Sequence, residues 1–335
     1  MYEAEISRWN PTSFIFLLDQ SASMNEEVPV GISKAEVATN FLNECLKEMI
    51  VIGSKPNGVS DYVDVAVLGY GESGVINCLK TERIISPLSE IQQSVIRVEN
   101  RKKRVSDDDG SVIEVEVRFP IWVEAKAKGD NATKLESMKD ALMETATQLA
   151  YWCENHPNSY PPILMHITDG IYGGDLGEIS EIVEIIKEFS TNDGNVLMFN
   201  LQISADSADP IVFPDSLPNS YSCSQRSQPL FAMSSELPIG AMEYLHDYFV
   251  EHHLNLKSRG FLFNSTWDAI CLFRAIVCPW VHSLAAPRIH EQPIEEFEEE
   301  EKREEDLKKE EKKRKVQMWL GRIKNSPSYR GSKSN

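Results

Sequence analysis

The run Ser13-Phe-Ile-Phe-Leu-Leu18, closed by Asp19, constrains this chain more than any other segment. A strand with one face in water alternates polar and apolar residues. A strand that is apolar throughout is covered on both faces, as in a parallel sheet layered with helices. Tyr62–Gly69 (YVDVAVLG), Ile163–Thr168 (ILMHIT) and Asn195–Ile203 read as further strands, and Leu230–Met233 as a short one. Lys34–Val51, Leu135–Trp152, Leu176–Phe189, Ala241–Leu254 and Thr266–Val277 carry apolar residues at helical spacing. This alternation implies an α/β fold: a doubly wound, mostly parallel sheet flanked by helices. Such sheets bind ligands at the carboxyl ends of their strands, where the strand order reverses.

Two stretches depart from the alternation. Residues 95–124 contain SVIRVEN, the turn-rich SDDDG and SVIEVEVRF, which read as an inserted β-hairpin. Its register stays open, because Val112, Glu114, Val115, Glu116 and Val117 do not alternate cleanly. Ala205–Pro229 is rich in Ser, Pro, Asp and Asn and reads as a long surface loop;. The α/β domain is placed at residues 1–290, and a charged tail at 291–335. In Glu291–Lys315 acids come first and bases later, which suits an exposed helix or a disordered arm;. Trp319, Leu320 and Ile323 beyond it read as a small docking patch.

The net charge is −18, and the tail holds 12 acidic and 12 basic residues, so residues 1–290 carry the whole excess. An acidic body repels phosphate backbones and argues against nucleic acid as a partner. The six cysteines show no C-x-x-C spacing, and several lie in apolar runs, as Cys271 does in AICLF. They read as buried free thiols of a reducing compartment. MYEAEISRWNP lacks the basic and apolar stretches of a secretory leader;. Ala269–Ala286 is interrupted by Arg274, Pro279 and His282 and does not read as a membrane span;. These features lead us to expect a cytoplasmic protein.

Three segments carry chemistry. Leu17-Leu-Asp-Gln-Ser-Ala-Ser-Met24 places D-x-S-x-S directly after the first strand. Gly129-Asp-Asn-Ala-Thr133 precedes a helix, and His166-Ile-Thr-Asp-Gly170 ends a strand in Asp-Gly. Alone, D-x-S-x-S is also a pattern of turns and helix caps, and Thr133 could simply cap the helix after it. Together the segments offer hydroxyls and carboxylates, the hard oxygen ligands that Mg²⁺ prefers. Competing chemistries fit worse. A haloacid dehalogenase-type phosphotransferase needs a second carboxylate two residues after its aspartate, where this chain has Ser21. Gly69-Tyr-Gly-Glu-Ser-Gly74 lacks the lysine of a phosphate loop and reads as a turn;. His252 and His253 are adjacent in an expected helix, so their side chains diverge. Neither H-E-x-x-H nor G-x-S-x-G occurs;.

In their order and form the three segments resemble the metal-ion-dependent adhesion site of von Willebrand factor A-type (VWA) domains. The resemblance implies one bound Mg²⁺ or Mn²⁺, held by Asp19, Ser21, Ser23, Thr133 and Asp169 directly or through water. It also implies an open coordination position for a carboxylate of a partner protein, and no enzymatic activity. The LLDQSASM start and the segments PLFAMSSELP and SRGFLFN are similar to bacterial, cytoplasmic TerY-like VWA proteins over about residues 12–280. That likeness implies a stress-response or anti-phage defence setting, with a protein kinase and a phosphatase as partners. Ala22 stands where the family commonly has Gly, and the hairpin and tail fall outside its pattern. The alternative is a metal-dependent phosphotransferase or hydrolase using the same site.

Overall fold

The computed structural model describes residues 2–281 apart from 57, 107–111, 127–133, 173–175, 207, 218–225 and 249–253, together with residues 318 and 321. The chain opens with β1 (Thr12–Asp19) and α1 (Lys34–Gly53). A small hairpin of β2 (Ser54–Lys55) and β3 (Gly58–Val59) follows, then β4 (Val63–Gly71), β5 (Gly74–Asn77), β6 (Ser86–Pro87) and α2 (Leu88–Gln93). Next come β7 (Arg97–Ser106), β8 (Val112–Ile121), α3 (Lys134–Asn155), β9 (Ile163–Thr168), α4 (Gly177–Lys187) and β10 (Leu197–Gln202). The last described elements are β11 (Ile211–Val212), α5 (Ser227–Met233), α6 (Ile239–Tyr248), β12 (Phe261–Phe263) and α7 (Thr266–Val281).

The main sheet runs β11-β12-β10-β9-β1-β4-β5, with β6 also paired to β4. β12, β10, β9, β1 and β4 are mutually parallel, and β5, β6 and β11 are antiparallel additions. All eight residues of β1 are buried, which explains its continuous apolar run;. Phe14, Phe16 and Leu18 point to one face and join a core with Phe41, Leu42, Leu46 and Met49 of α1 and Leu272 of α7. Ile15 and Leu17 point to the other and join Leu142 and Leu149 of α3, Val183 and Ile186 of α4, and Leu230 of α5. Helices therefore cover both faces of a mostly parallel sheet.

This arrangement places the crevice. From β1 the chain moves to β4 on one side, then returns to β9 on the other. The loops leaving the carboxyl ends of β1 and β9 must diverge, and the gap between them is where ligands enter such sheets. The parallel register sets Leu18 beside Ile167, so the strands end level, in Asp19 and in Thr168-Asp169.

The structure corrects some local readings. Leu230–Met233 lies in helix α5, not in a strand. Four apolar residues are too few to separate the two periods, and Pro229 in the first turn removes no intrahelical donor. The 205–229 stretch is not all loop, since it contains β11 and the first three residues of α5. The 95–124 hairpin is present as a separate two-stranded sheet, with Glu99 opposite Phe119 and Lys103 opposite Val115. In that register Val115, Val117, Phe119 and Ile121 share one face, and Glu114, Glu116 and Arg118 the other. Val112, on the same face as Glu114, is the position that interrupts this alternation. Phe119 and Ile121 are buried at the hairpin base. There Asn43 of α1 accepts the backbone N–H groups of Trp122 and Val123 at 2.8 and 3.0 Å. The tail lies outside the described residues apart from Met318 and Gly321, both exposed and helical. Among the described residues no helix is long and apolar enough to cross a membrane. Cys45, Cys78, Cys153 and Cys271 are free thiols; burial pushes Cys153 up to about 12.

A neutral polar chain crosses the sheet interior. Asn200 of β10 donates from Nδ2 to Leu230 O at 3.1 Å and to Ser234 Oγ at 2.9 Å. Its Oδ1 therefore faces His166 Nδ1 at 3.0 Å, and the imidazole must carry its proton there;. His166 Nε2 is left to accept from the Tyr70 hydroxyl of β4 at 2.8 Å.

Candidate metal centre

Asp19 is the last residue of β1, and the chain turns at once into a 3₁₀ turn, Ala22–Asn25. Two glycines of β4 make room for this reversal. A Cβ on Gly69 would lie 2.5 Å from Gln20 Oε1, and one on Gly71 would lie 3.0 Å from the Gln20 carbonyl oxygen. The Gly-rich segment that reads as a turn thus also forms the floor under the D-x-S-x-S loop. Ala22 sits within the 3₁₀ turn and is not among the residues with positive φ, so an alanine there costs no backbone strain.

Asp19 is buried and held by three donors. Its Oδ1 accepts the Ser21 backbone N–H at 2.9 Å and the Ser21 hydroxyl at 2.6 Å, and its Oδ2 accepts the Thr168 hydroxyl at 2.7 Å. The Ser21 and Ser23 hydroxyls stand 3.2 Å apart. From the neighbouring strand end comes Asp169, also buried. Its Oδ1 accepts the Ile171 N–H at 3.0 Å, and its backbone carbonyl accepts Gln202 Nε2 at 3.3 Å. Gly170 turns the chain with φ +73, and a Cβ there would lie 2.6 Å from Gln202 Nε2. The Asp-Gly pair is therefore a steric requirement here. Thr133, the fifth expected ligand, lies outside the described residues; α3 begins at the next residue, Lys134.

Sequence reasoning missed Lys34, the first residue of α1. It is 2% exposed, and its ammonium group lies 3.4 Å from Asp169 Oδ2 and 2.5 Å from Glu26 Oε2. A lysine at a helix start reads as a solvated side chain, and no pattern would have flagged it. It also missed Thr168, Tyr70 and Tyr172 around Asp19. Burial, then the Asp19 carboxylate, push both phenols well above their ordinary range. They stay neutral hydrogen-bonding groups rather than phenolate ligands.

The described residues fit a small, hard cation. Neighbouring oxygens around an octahedral Mg²⁺ with bonds of about 2.1 Å are roughly 3 Å apart. The Asp19 Oδ1–Ser21 Oγ and Ser21 Oγ–Ser23 Oγ separations of 2.6 and 3.2 Å bracket that value. Charge fits as well: the buried carboxylates of Asp19 and Asp169 face a single buried ammonium, that of Lys34, which is shared with Glu26.

No protein-family profile and no curated protein is significantly similar to the chain. Among solved structures it is similar to the pilus adhesin SpaC from Lactobacillus rhamnosus GG, at 10% identity and a TM-score of 0.40, over 84% of this chain and 32% of that one. It is also similar to the PilB minor pilin from Streptococcus sanguinis, at 10% identity and a TM-score of 0.35, over 82% of this chain and 62% of that one. The chain thus spans about a third of the first protein and under two thirds of the second.

Proposed function

We propose that this chain is a VWA-type, doubly wound interaction module. In this reading it binds one Mg²⁺ or Mn²⁺ through Asp19, Ser21, Ser23, Thr133 and Asp169, and presents that ion to a carboxylate of a partner protein. The observation that carries the reading is that Asp19, Ser21 and Ser23 stand with their oxygens at ligand-edge distances at the strand-order reversal, where the neighbouring strand ends in the buried Asp169. A divalent ion would offset the buried negative charge of Asp19 and Asp169. Because most of its ligands would be neutral hydroxyls and waters, it would remain electrophilic toward an incoming carboxylate. The chain's own work is to orient the site: Thr168 and the Ser21 N–H fix the Asp19 carboxylate, and Gly69 and Gly71 let the serine loop fold back over the sheet end.

The resemblance to TerY-like proteins extends the proposal to a cytoplasmic stress-response or anti-phage system with a kinase and a phosphatase. The 95–124 hairpin would help select the partner. Its exit at Lys126 lies near the neutral, buried thiol of Cys78, which in turn touches Gln20 of the serine loop.

Calorimetry with MgCl₂ and MnCl₂ tests the reading. The wild type is expected to bind one ion per chain, and Asp19→Ala to bind none. Equal affinity in the two proteins refutes the site. Capture of partner proteins that survives EDTA refutes the carboxylate bridge, and phosphatase turnover lost in Asp19→Ala would favour an enzyme instead.

A further inference from the structure

We infer that Lys34 is a built-in counter-cation of this site, whose charge stands in for the metal at Asp169 and so sets how tightly the metal is held. The inference rests on the metal reading above and adds a residue that the reading does not contain.

The placement of Lys34 is costly by every local criterion. Lysine is almost never fully buried unless paired, yet Lys34 is 2% exposed. It occupies the first turn of α1, where the helix dipole disfavours a cation. The capping box of that helix already has its acidic partner in Glu36, which accepts the Ser33 N–H at 2.8 Å. Nothing in helix formation asks for a positive charge here. Two carboxylates do: Asp169 at 3.4 Å, itself fully buried, and Glu26 at 2.5 Å, more than half exposed. The Glu26–Ser33 segment is closed so as to bring them together, for the Lys34 N–H also donates to the Glu26 carbonyl at 3.0 Å.

The two partners are unequal in a way that suits exchange. Glu26 is at the surface and is not an expected ligand, whereas Asp169 is buried and is one. A divalent ion arriving at Asp19, Ser21 and Ser23 competes with the ammonium for Asp169. Lys34 can yield that carboxylate without losing its ion pair, because Glu26 retains it. Metal binding thereby displaces an internal cation instead of filling an unbalanced anionic pit. The protein gains a site in which Asp169 stays ion-paired before loading, at the expense of affinity.

The test is calorimetric titration of MgCl₂ and MnCl₂ into the full chain, with melting curves in EDTA and at saturating metal. Lys34→Met keeps the length and removes the charge. It is expected to melt lower than wild type in EDTA, to regain most of the difference at saturating metal, and to bind the ion on the order of tenfold more tightly, a common size for coupling between sites. Lys34→Arg keeps the charge and is expected to bind within about threefold of wild type. If Lys34→Met proves too unstable to titrate, Glu26→Gln decides. It leaves the ammonium to Asp169 alone, so metal should bind several-fold more weakly. Wild type that binds metal, with unchanged affinity in Lys34→Met or in Glu26→Gln, overturns the role of Lys34 and leaves the metal site standing. Lys34→Arg tightening as much as Lys34→Met overturns it too, since packing rather than charge would then be responsible. Failure of wild type and variants alike to bind either ion overturns both.

Discussion

Two buried polar groups of residues cross the same sheet only a few residues apart, and they are built on opposite plans. In the Tyr70–His166–Asn200 chain the hydrogens find acceptors without a formal charge; the series ends on the Ser234 hydroxyl and the Leu230 carbonyl, and at its other end Tyr70 reaches Thr168 beside Asp19. At the strand ends, two buried carboxylates, Asp19 and Asp169, come together. The hydroxyls of Ser21 and Ser23 face each other, and a lysine has been drawn in from α1. Burial of polar groups is common to both, so burial alone says nothing about ligands. What separates them is surplus: a closed chain specifies one packing of the sheet, whereas an excess of oriented oxygen ligands and negative charge is a demand for a cation.

The largest expected effect comes from breaking the closed chain. His166→Leu removes the donor to Asn200 Oδ1 and the acceptor of the Tyr70 hydroxyl, both fully buried. Leaving such groups unmatched costs about 3 kcal/mol, or a melting temperature lower by very roughly 6–12 °C for a domain of this size. Metal affinity should change far less than stability. A variant that keeps its melting temperature would show that the chain is not the sheet's specifying element.

Thr168→Val sharpens the comparison from the other side. Valine preserves the shape and suits a strand, but the hydroxyl that donates to Asp19 Oδ2 at 2.7 Å is gone. Stability should fall by only about 1 kcal/mol. Metal affinity should fall by roughly tenfold or more, as when a group that orients a ligand is lost. Paired melting and titration curves for the two variants should therefore move in different columns. If both lose stability and metal affinity in the same proportion, the two groups form one unit and the distinction fails.

The same contrast explains what the sequence disclosed. Strands buried on both faces leave a continuous apolar signature, so β1 and β9 can be read almost to the residue, and the acids that close them follow. A closed polar chain leaves none: His166 looks like an interruption of ILMHIT, and Asn200 like an interruption of LMFNLQ, until the register sets them side by side. Lys34 is invisible for a related reason, since helical periodicity assigns a terminal lysine to solvent and only the fold brings Asp169 to it. The short strands β11 and β12 escaped because two or three residues carry no period at all. Thr133 is known only from its place before α3.

The smallest expected effect tests whether surplus charge without ligand geometry behaves like the metal site or like the core. Asp64 of β4 is a half-buried carboxylate whose Oδ2 accepts Trp152 Nε1 at 2.9 Å. Burial raises its pKa above the usual carboxylate range, the Trp152 bond pulls it back in part, and the nearby Asp61 adds to the rise. The sign follows from proton binding. The folded state holds this proton to higher pH than the unfolded chain does, so the contribution to stability is greatest below the ordinary carboxylate value and is lost as pH rises through the raised one. Asp64→Asn keeps an acceptor for Trp152 and never ionises. It should match wild type at about pH 3 and be more stable at about pH 7, by less than about 1 kcal/mol. Metal affinity should not change, because Asp64 lies on β4 beside Ser13, at the far end of β1 from Asp19. Melting curves of both proteins across that range check the point. A stability difference that does not grow with pH would mean that the burial of Asp64 carries no electrostatic cost, and that an acid on this sheet need not be neutralised to be tolerated.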